Sequence, residues 1–246
     1  MRQSPAEMRD TFDRDGFLIV PNLLDRDETK RLKEECRGIL EEARANAAKR
    51  GEDPKNVIRN GVYVGLAARS DLFREAVADP RILDILEAIY SPNIEFLSDK
   101  FVFKNEDTDF DSPWHQDWHY WGGANKISIW IPFDDARVEN GTLKLLPGSH
   151  KGVVVHDGKD DEGIGFGHRL RRGVVDENLA VTAIADAGAA VFFSDLTLHA
   201  SHPNIVRADR WVWIPTYRDA LLDDPKYPWA VAAKVLRGQG RAETAS

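Results

Sequence analysis

The chain changes texture near residue 95, and that change constrains its architecture more than any single motif. Before it, apolar residues recur at helical spacing. Residues 5 to 15 are expected to form a short helix, and GFLIVPNLL a brief strand and turn. Asp25 or Asp27 is placed to cap a helix running to about Arg50, which GEDPKN ends. Asp79 and Pro80 open another helix, RILDILEAIY, closed by SPN. From residue 95 onward the segments IEFLSDKFVFK, KISIWIPFDD, TLKLLP, AAVFFSD and RWVWIPTYRD are short, rich in β-branched and aromatic residues, and bounded by turn signals. ENGT at 139–142 is expected to close a hairpin, since Asn140 and Gly141 both tolerate positive φ. Helices followed by a run of strands predict a mainly β fold with flanking helices, an antiparallel sandwich or jelly roll. One domain over 1–246 is expected, with a helical part to about 92, a jelly-roll core over about 93–220 and a C-terminal tail, 221–246. Residues 156–178 have no period, which suits a lid or binding loop.

Composition narrows the partners. A chain of 246 residues, 42% hydrophobic and 30% charged, suits a single globular unit. Its net charge of -8 repels nucleic acid and anionic membrane, so neither is an expected partner. The lone cysteine, Cys36, excludes an intrachain disulfide and reads as filler on a helix face. The N-terminus lacks an apolar stretch of signal-peptide length, and FLIV and AAVFF are too short to cross a bilayer, so the cytoplasm is the expected location. A monomer or homodimer is expected.

SPWHQDWHYWGG, residues 112–123, sets two histidines and a carboxylate among three tryptophans. On a strand, His115 and Asp117 share a face with α-carbons about 6.6 Å apart, close enough for both to reach one ion. His119 lies about 13 Å from His115 on such a strand and is expected to wall the pocket instead. Two histidines and one carboxylate form the facial triad of non-haem Fe(II) oxygenases. The second histidine must come from His150, His156, His168, His199 or His202. If AAVFFSD and RWVWIPTYR pair as a hairpin turning near Asn204, His199 faces Arg210 and His202 faces Arg207. An arginine there is suited to grip the far carboxylate of a metal-chelating co-substrate. The aromatic residues (Trp114, Trp118, Tyr120, Trp121, with Trp211 or Trp213) are expected to divide between core and a dry enclosure.

HQD at 115–117, Trp130, NGTLKLLPGSHKG at 140–152 and HASHPNIVRADR at 199–210 resemble the phytanoyl-CoA dioxygenase family. The resemblance runs through roughly residues 10–220 and is tightest over 112–218. It implies a double-stranded β-helix, cupin-like, and an Fe(II)- and 2-oxoglutarate-dependent hydroxylase using O2, with ascorbate as a supporting reductant and succinate and CO2 as by-products. It implies that His115, Asp117 and His199 ligate the iron as the catalytic centre. Arg210, Ser201 and Trp130 are implied at 2-oxoglutarate, with Gln116 and either Lys100 or Lys104 as further candidates. Trp118, His119, Trp121, Trp114 and Trp213 are the expected substrate pocket. Halogenating relatives carry Ala or Gly where Asp117 stands, so C–H oxidation is expected. Asn140–Gly141 and His150 read as turn and packing chemistry. Arg169, Arg171 and Arg172 in the expected lid could receive an anion, but the acidic chain has no broad basic surface for coenzyme A, which favours a small metabolite. Two alternatives remain: a jelly-roll metalloenzyme using another divalent metal without 2-oxoglutarate, and a ligand-binding jelly roll without chemistry.

Overall fold

The computed structural model describes residues 3–58, 61–105, 108–160 and 165–241; residues 161–164 of the expected lid and 242–246 of the expected tail lie outside it. The N-terminal part is α1 (Pro5–Asp15), β1 (Phe17–Val20), α2 (Arg26–Lys49), a 3₁₀ turn (Pro54–Val57), β2 (Val62–Val64), α3 (Asp71–Ala76) and α4 (Pro80–Ile89). Ser4 caps α1 and Asp25 caps α2, each with a reciprocal glutamate three residues on, which satisfies two otherwise orphaned amides at each start. Gly16 ends α1 at φ +83. A Cβ there would lie 2.4 Å from the His150 ring, so PGSH packs tightly against this helix end.

The strands follow: β3 (Ile94–Lys104), the one-turn helix α5 (Trp118–Trp121), β4 (Lys126–Pro132), β5 (Leu143–Leu145), β6 (Val181–Thr182), β7 (Ala190–Ser194), β8 (His199–Ser201), β9 (Arg210–Asp219) and β10 (Lys234–Arg237). They form a seven-stranded antiparallel sheet ordered β1-β7-β4-β9-β3-β10, with β2 also on β3, and a three-stranded sheet ordered β6-β5-β8. This is the expected jelly-roll arrangement with helices on one outer face. The described part of the tail includes an edge strand, because Lys234 and Val235 pair with Phe96 and Glu95.

Strand alternation gives the large sheet two different faces. Ile127, Ile129 and Ile131 of β4 and Trp211, Trp213 and Tyr217 of β9 turn toward the helices and join the larger core with Leu32, Phe73 and Ile82. Trp130, Val191, Phe193, Val212 and Ile214 turn toward the small sheet and form the second cluster with Leu143 and Leu145. The space between the sheets holds the site.

Two sequence expectations fail on pairing. The strands at 190–194 and 210–219 are not a hairpin: β7 lies between β1 and β4, while β9 lies between β4 and β3. His199 instead pairs with Leu145 in the small sheet, so His199 and Arg210 belong to opposite sheets. ENGT does not close a hairpin either, because β4 and β5 are in different sheets. Asn140 ties the corner down, its Oδ1 accepting from Arg137 N–H at 2.8 Å and its Nδ2 donating to Asp135 O at 2.8 Å. Gly141 is required there: at φ +88, a Cβ would lie 2.6 Å from Lys104 Cδ and 2.9 Å from His202 O.

Candidate metal centre and co-substrate pocket

His115 reaches the site through an antiparallel bridge to His199, each backbone N–H donating to the other's carbonyl at 3.0 Å. The chain then leaves extended geometry. Asp117 has φ -63 and ψ -27, and its carbonyl accepts from Tyr120 N–H as α5 begins. H-x-D therefore straddles a strand-to-helix turn, which corrects the expectation that both side chains share a strand face. The turn still aims them together. One ligand atom from each of His115, Asp117 and His199 lies within 4.8 Å of the others, and all three residues are buried. Asp117 Oδ1 is 3.6 Å from His115 Nε2 and 3.9 Å from His199 Nε2.

The hydrogen bonds around this cluster suit a divalent metal. Nδ1 of His115 lies 2.8 Å from Pro113 O, and Nδ1 of His199 lies 2.9 Å from Thr197 O. A carbonyl only accepts, so Nδ1 carries the proton in each ring and Nε2 keeps its lone pair for the cluster. Asp117 Oδ2 is buried with no hydrogen-bond partner among the described residues, a costly condition for a carboxylate unless something else binds it. Burial, reinforced by neighbouring His115, lowers the His199 pKa to about 3, so this imidazole is neutral at pH 7. For Asp117, burial acts upward, but Lys100, His115 and His199 outweigh it and hold the carboxyl far below its ordinary range. Two imidazoles and one ionised carboxylate are the donor set that Fe(II) takes.

A cavity of about 390 Å³ opens over the cluster. Arg210 lies on its wall, 2% exposed, with its Nε buried and unpartnered. Its guanidinium sits 5.6 Å above the Trp130 ring, whose face holds it in place. Ser201 Oγ accepts from Ser112 N–H at 3.0 Å, leaving its own O–H free to donate into the cavity it lines. Lys104 and Lys100 both line the cavity, but among the described residues only Lys104 is tied down by hydrogen bonds, with Nζ donating to Phe110 O and His202 O. Burial, aided by Arg210, pulls the Lys104 pKa to about 7.

The aromatic enclosure differs from the expected one. Tyr120 and Trp121 line the cavity, joined by Phe110, Phe166 and Phe193, which sequence reasoning missed. Period-two alternation around β7 could have found Phe193; nothing in the sequence points to Phe110 or Phe166. Phe166, from the expected lid, stacks edge-on to His115 with centroids 5.0 Å apart. Trp213 is in the helix-side core, its Nε1 donating to Asp99 at 2.9 Å, and Trp211 shares that face. Trp114 donates to Glu177 and Trp118 to Gly123 O, and neither lines the cavity. His119 turns away on α5, donating to Val154 O with its ring 3.8 Å from His156. Gln116 also faces away: it is fully buried, donates to Gly152 O and Leu196 O, and accepts from Val154 N–H. Its expected contact with the co-substrate is therefore corrected. Of the basic run, Arg171 pairs with Asp157 at 2.6 Å and Arg169 donates to Lys159 O. His150, His156, His168 and His202 are outside the three-ligand cluster.

The jelly roll and its His–Asp–His cluster define a non-haem iron oxygenase of the 2-oxoglutarate-dependent class. A sequence profile for phytanoyl-CoA dioxygenase (PhyH) matches residues 12–211, and the chain belongs to that family. Ectoine dioxygenase from Stutzerimonas stutzeri is 30% identical over 224 residues, covering 83% of this chain and 74% of its own. L-Proline trans-4-hydroxylase from Streptomyces griseoviridis is 26% identical over 238 residues, covering 88% and 87%. Among solved structures, the non-haem monooxygenase ThoJ superposes with a TM-score of 0.75 at 22% identity, covering 94% of this chain and 84% of its own. Together these make the chain an Fe(II)- and 2-oxoglutarate-dependent dioxygenase. Among the described residues, no helix is long and apolar enough to cross a membrane.

Proposed function

We propose that His115, Asp117 and His199 hold Fe(II), that Arg210 with Ser201 and Trp130 holds the far carboxylate of 2-oxoglutarate, and that the substrate is a small metabolite hydroxylated at a C–H bond. The observation that carries the reading is Arg210. Among the described residues Arg210 makes no hydrogen bond or ion pair and feels only a partial attraction from Asp134, and a buried cation left so costs several kcal/mol, about 3–5 when a counter-charge is removed. Here that cation shares one cavity with the metal-ligand cluster. An acid with a keto group at its other end relieves the first and chelates at the second.

Fe(II) held by His115, Asp117 and His199 would, with 2-oxoglutarate and dioxygen, supply oxidation of the substrate coupled to release of succinate and CO2. The chain's own residues do the rest. Pro113 O and Thr197 O fix the two imidazole planes. Arg210 and Ser201 set the co-substrate's direction by charge and hydrogen bond. Tyr120, Phe166 and Phe193 shield the cluster from water. The carboxylate of Asp117 supports hydroxylation, because as a metal ligand it would fill the position that a halide needs. A small substrate accords with the cavity's size and with the relatives that act on ectoine and proline. We take residues 1–246 as one catalytic domain, cytoplasmic, monomeric or homodimeric, with no nucleic-acid or membrane partner.

Anaerobic titration tests the site. One Fe(II) per chain is expected to bind, and His115→Ala or Asp117→Ala to abolish it along with 2-oxoglutarate-dependent succinate release. Full activity with Zn(II) and no 2-oxoglutarate would refute the proposal.

A further inference from the structure

Beside the metal cavity lies a second chamber of about 180 Å³, which shares Lys100, Tyr120 and Trp121 with it. Its remaining lining includes Ser98, Thr216 and Trp229. Three features make it a built site. First, Lys100 is half-buried on β3 and, apart from its electrostatic attraction to Asp117, finds no hydrogen-bond or ion-pair partner among the described residues, in contrast to the anchored Lys104. Second, Ser98 is 3% exposed and its Oγ is buried without a partner. Third, Thr216 Oγ1 lies 3.2 Å from Ser128 Oγ, so Ser128 can donate and leave the Thr216 proton for the chamber. Ser98, Lys100 and Thr216 share one face of the β3–β9 pair and all line this chamber, while the neighbouring Asp99 carboxylate is taken up by Ala67 N–H and Trp213 Nε1; an ammonium and two hydroxyls on one face suit an anion.

The outer wall comes from the C-terminal segment, which is pinned far more firmly than a tail needs. Lys126 is fully buried, and its Nζ binds Gly122 O, Ala124 O, the Tyr227 hydroxyl and the Asp224 carboxylate at 2.7–3.1 Å. Arg218 adds bonds to Asp224 at 2.8 Å and Glu95 at 2.7 Å. Gly123 admits the segment, since a Cβ there would lie 2.0 Å from Asp224 Oδ1. This anchor touches neither the metal-ligand cluster nor Arg210. What it positions is Trp229, whose ring lies 4.9 Å from Tyr227 and 5.4 Å from Trp121.

We propose that the substrate is a small carboxylate whose acid group binds Lys100, Ser98 and Thr216 in this second chamber, with Trp229 packing against its carbon skeleton. The skeleton passes Tyr120 and Trp121 into the metal cavity, so the carbon presented for oxidation is remote from the acid. This rests on the co-substrate occupying the Arg210 end, and it assigns Lys100 to the substrate rather than to 2-oxoglutarate.

The test loads the protein anaerobically with Fe(II) and 2-oxoglutarate and titrates it calorimetrically with straight-chain carboxylates from acetate to hexanoate and with the matching primary amides. At least one carboxylate is expected to bind about tenfold or more tightly than its amide, the worth of one hydrogen bond to a charged group. Lys100→Met is expected to erase that preference. Trp229→Ala is expected to weaken the carboxylate several-fold, with Trp229→Phe restoring most of it. Both Trp229 variants are expected to keep wild-type affinity for 2-oxoglutarate, and Lys100→Met to keep 2-oxoglutarate binding although it withdraws a charge that acts on Asp117, which also reports correct folding. Equal binding of acids and amides, no binding of any acid, or a Lys100→Met variant that loses 2-oxoglutarate instead would overturn the assignment. Failure of the underlying reading is separately visible as wild-type protein that does not bind 2-oxoglutarate.

Discussion

Arg210→Met has two consequences of opposite sign. Burial lowers the Arg210 pKa from 12.5 to about 10, with Asp134 only partly opposing it. That displacement, at about 1.4 kcal/mol per pH unit, puts the folded-state penalty of the charge at about 3 kcal/mol. Methionine keeps an apolar stem against Trp130 but gives up the guanidinium's contact with its ring, worth about 1 kcal/mol. The variant without ligand is therefore expected to be about 1–3 kcal/mol more stable than wild type. At about 2–4 °C per kcal/mol for a chain of this length, its melting temperature rises by several degrees. Co-substrate binding moves the other way. Removing one partner of a buried charge pair costs about 2–5 kcal/mol, a rise in the Kd for 2-oxoglutarate of about thirtyfold to several thousandfold. Differential scanning calorimetry without ligand and anaerobic titration with 2-oxoglutarate read the two effects separately. A methionine variant that melts below wild type and binds 2-oxoglutarate within about threefold of it would refute the claim that this cation waits for an anion.

Asp195 is buried, and burial pushes its pKa from 3.8 up to about 7, although Trp121 Nε1 donates to it at 2.8 Å. The folded state favours the protonated acid, so its contribution to stability is present below pH 3.8 and lost as pH rises through 7. Asp195→Asn is expected to be more stable than wild type by up to about 3–4 kcal/mol above pH 7, with the gap closing near pH 4 in urea unfolding; a gap independent of pH would contradict this. Gly141→Ala is expected to lose about 2–4 kcal/mol, from positive φ and from displacing Lys104 Cδ, measured as a lowered urea midpoint.

The architecture was legible because helical and strand periodicities occupy separate halves of the sequence, and the caps at Asp25 and Asp79 mark real helix starts. The metal ligands were legible as residue types, but their geometry was not. Asp117 adopts helical φ/ψ, and the turn through WHYWGG is completed by Gly122 at φ +64, so strand spacing did not apply. The hairpin joining His199 to Arg210 assumed that neighbours in sequence pair. In a jelly roll successive strands instead cross between sheets, and the two residues meet across the cavity. A place for Trp213 in the pocket conflicts with its position an odd number of residues from Arg210 on one strand; period-two alternation alone excludes it. Phe166 and Trp229 arrive on segments without periodicity, where local pattern carries no information about what they cover.

Strand β9 presents Arg210, Ile214 and Thr216 to the cavities and Val212 to the cluster between the sheets on that same face, and Trp211, Trp213 and Tyr217 to the helices. A one-residue insertion or deletion within it would exchange those sets, driving a guanidinium into hydrocarbon and indoles over the ligands. New substrate preferences in such a chain can therefore accumulate by single replacements at alternate positions, while changes of length must be confined to the connecting loops. The same strand is permissive on one side and intolerant on the other.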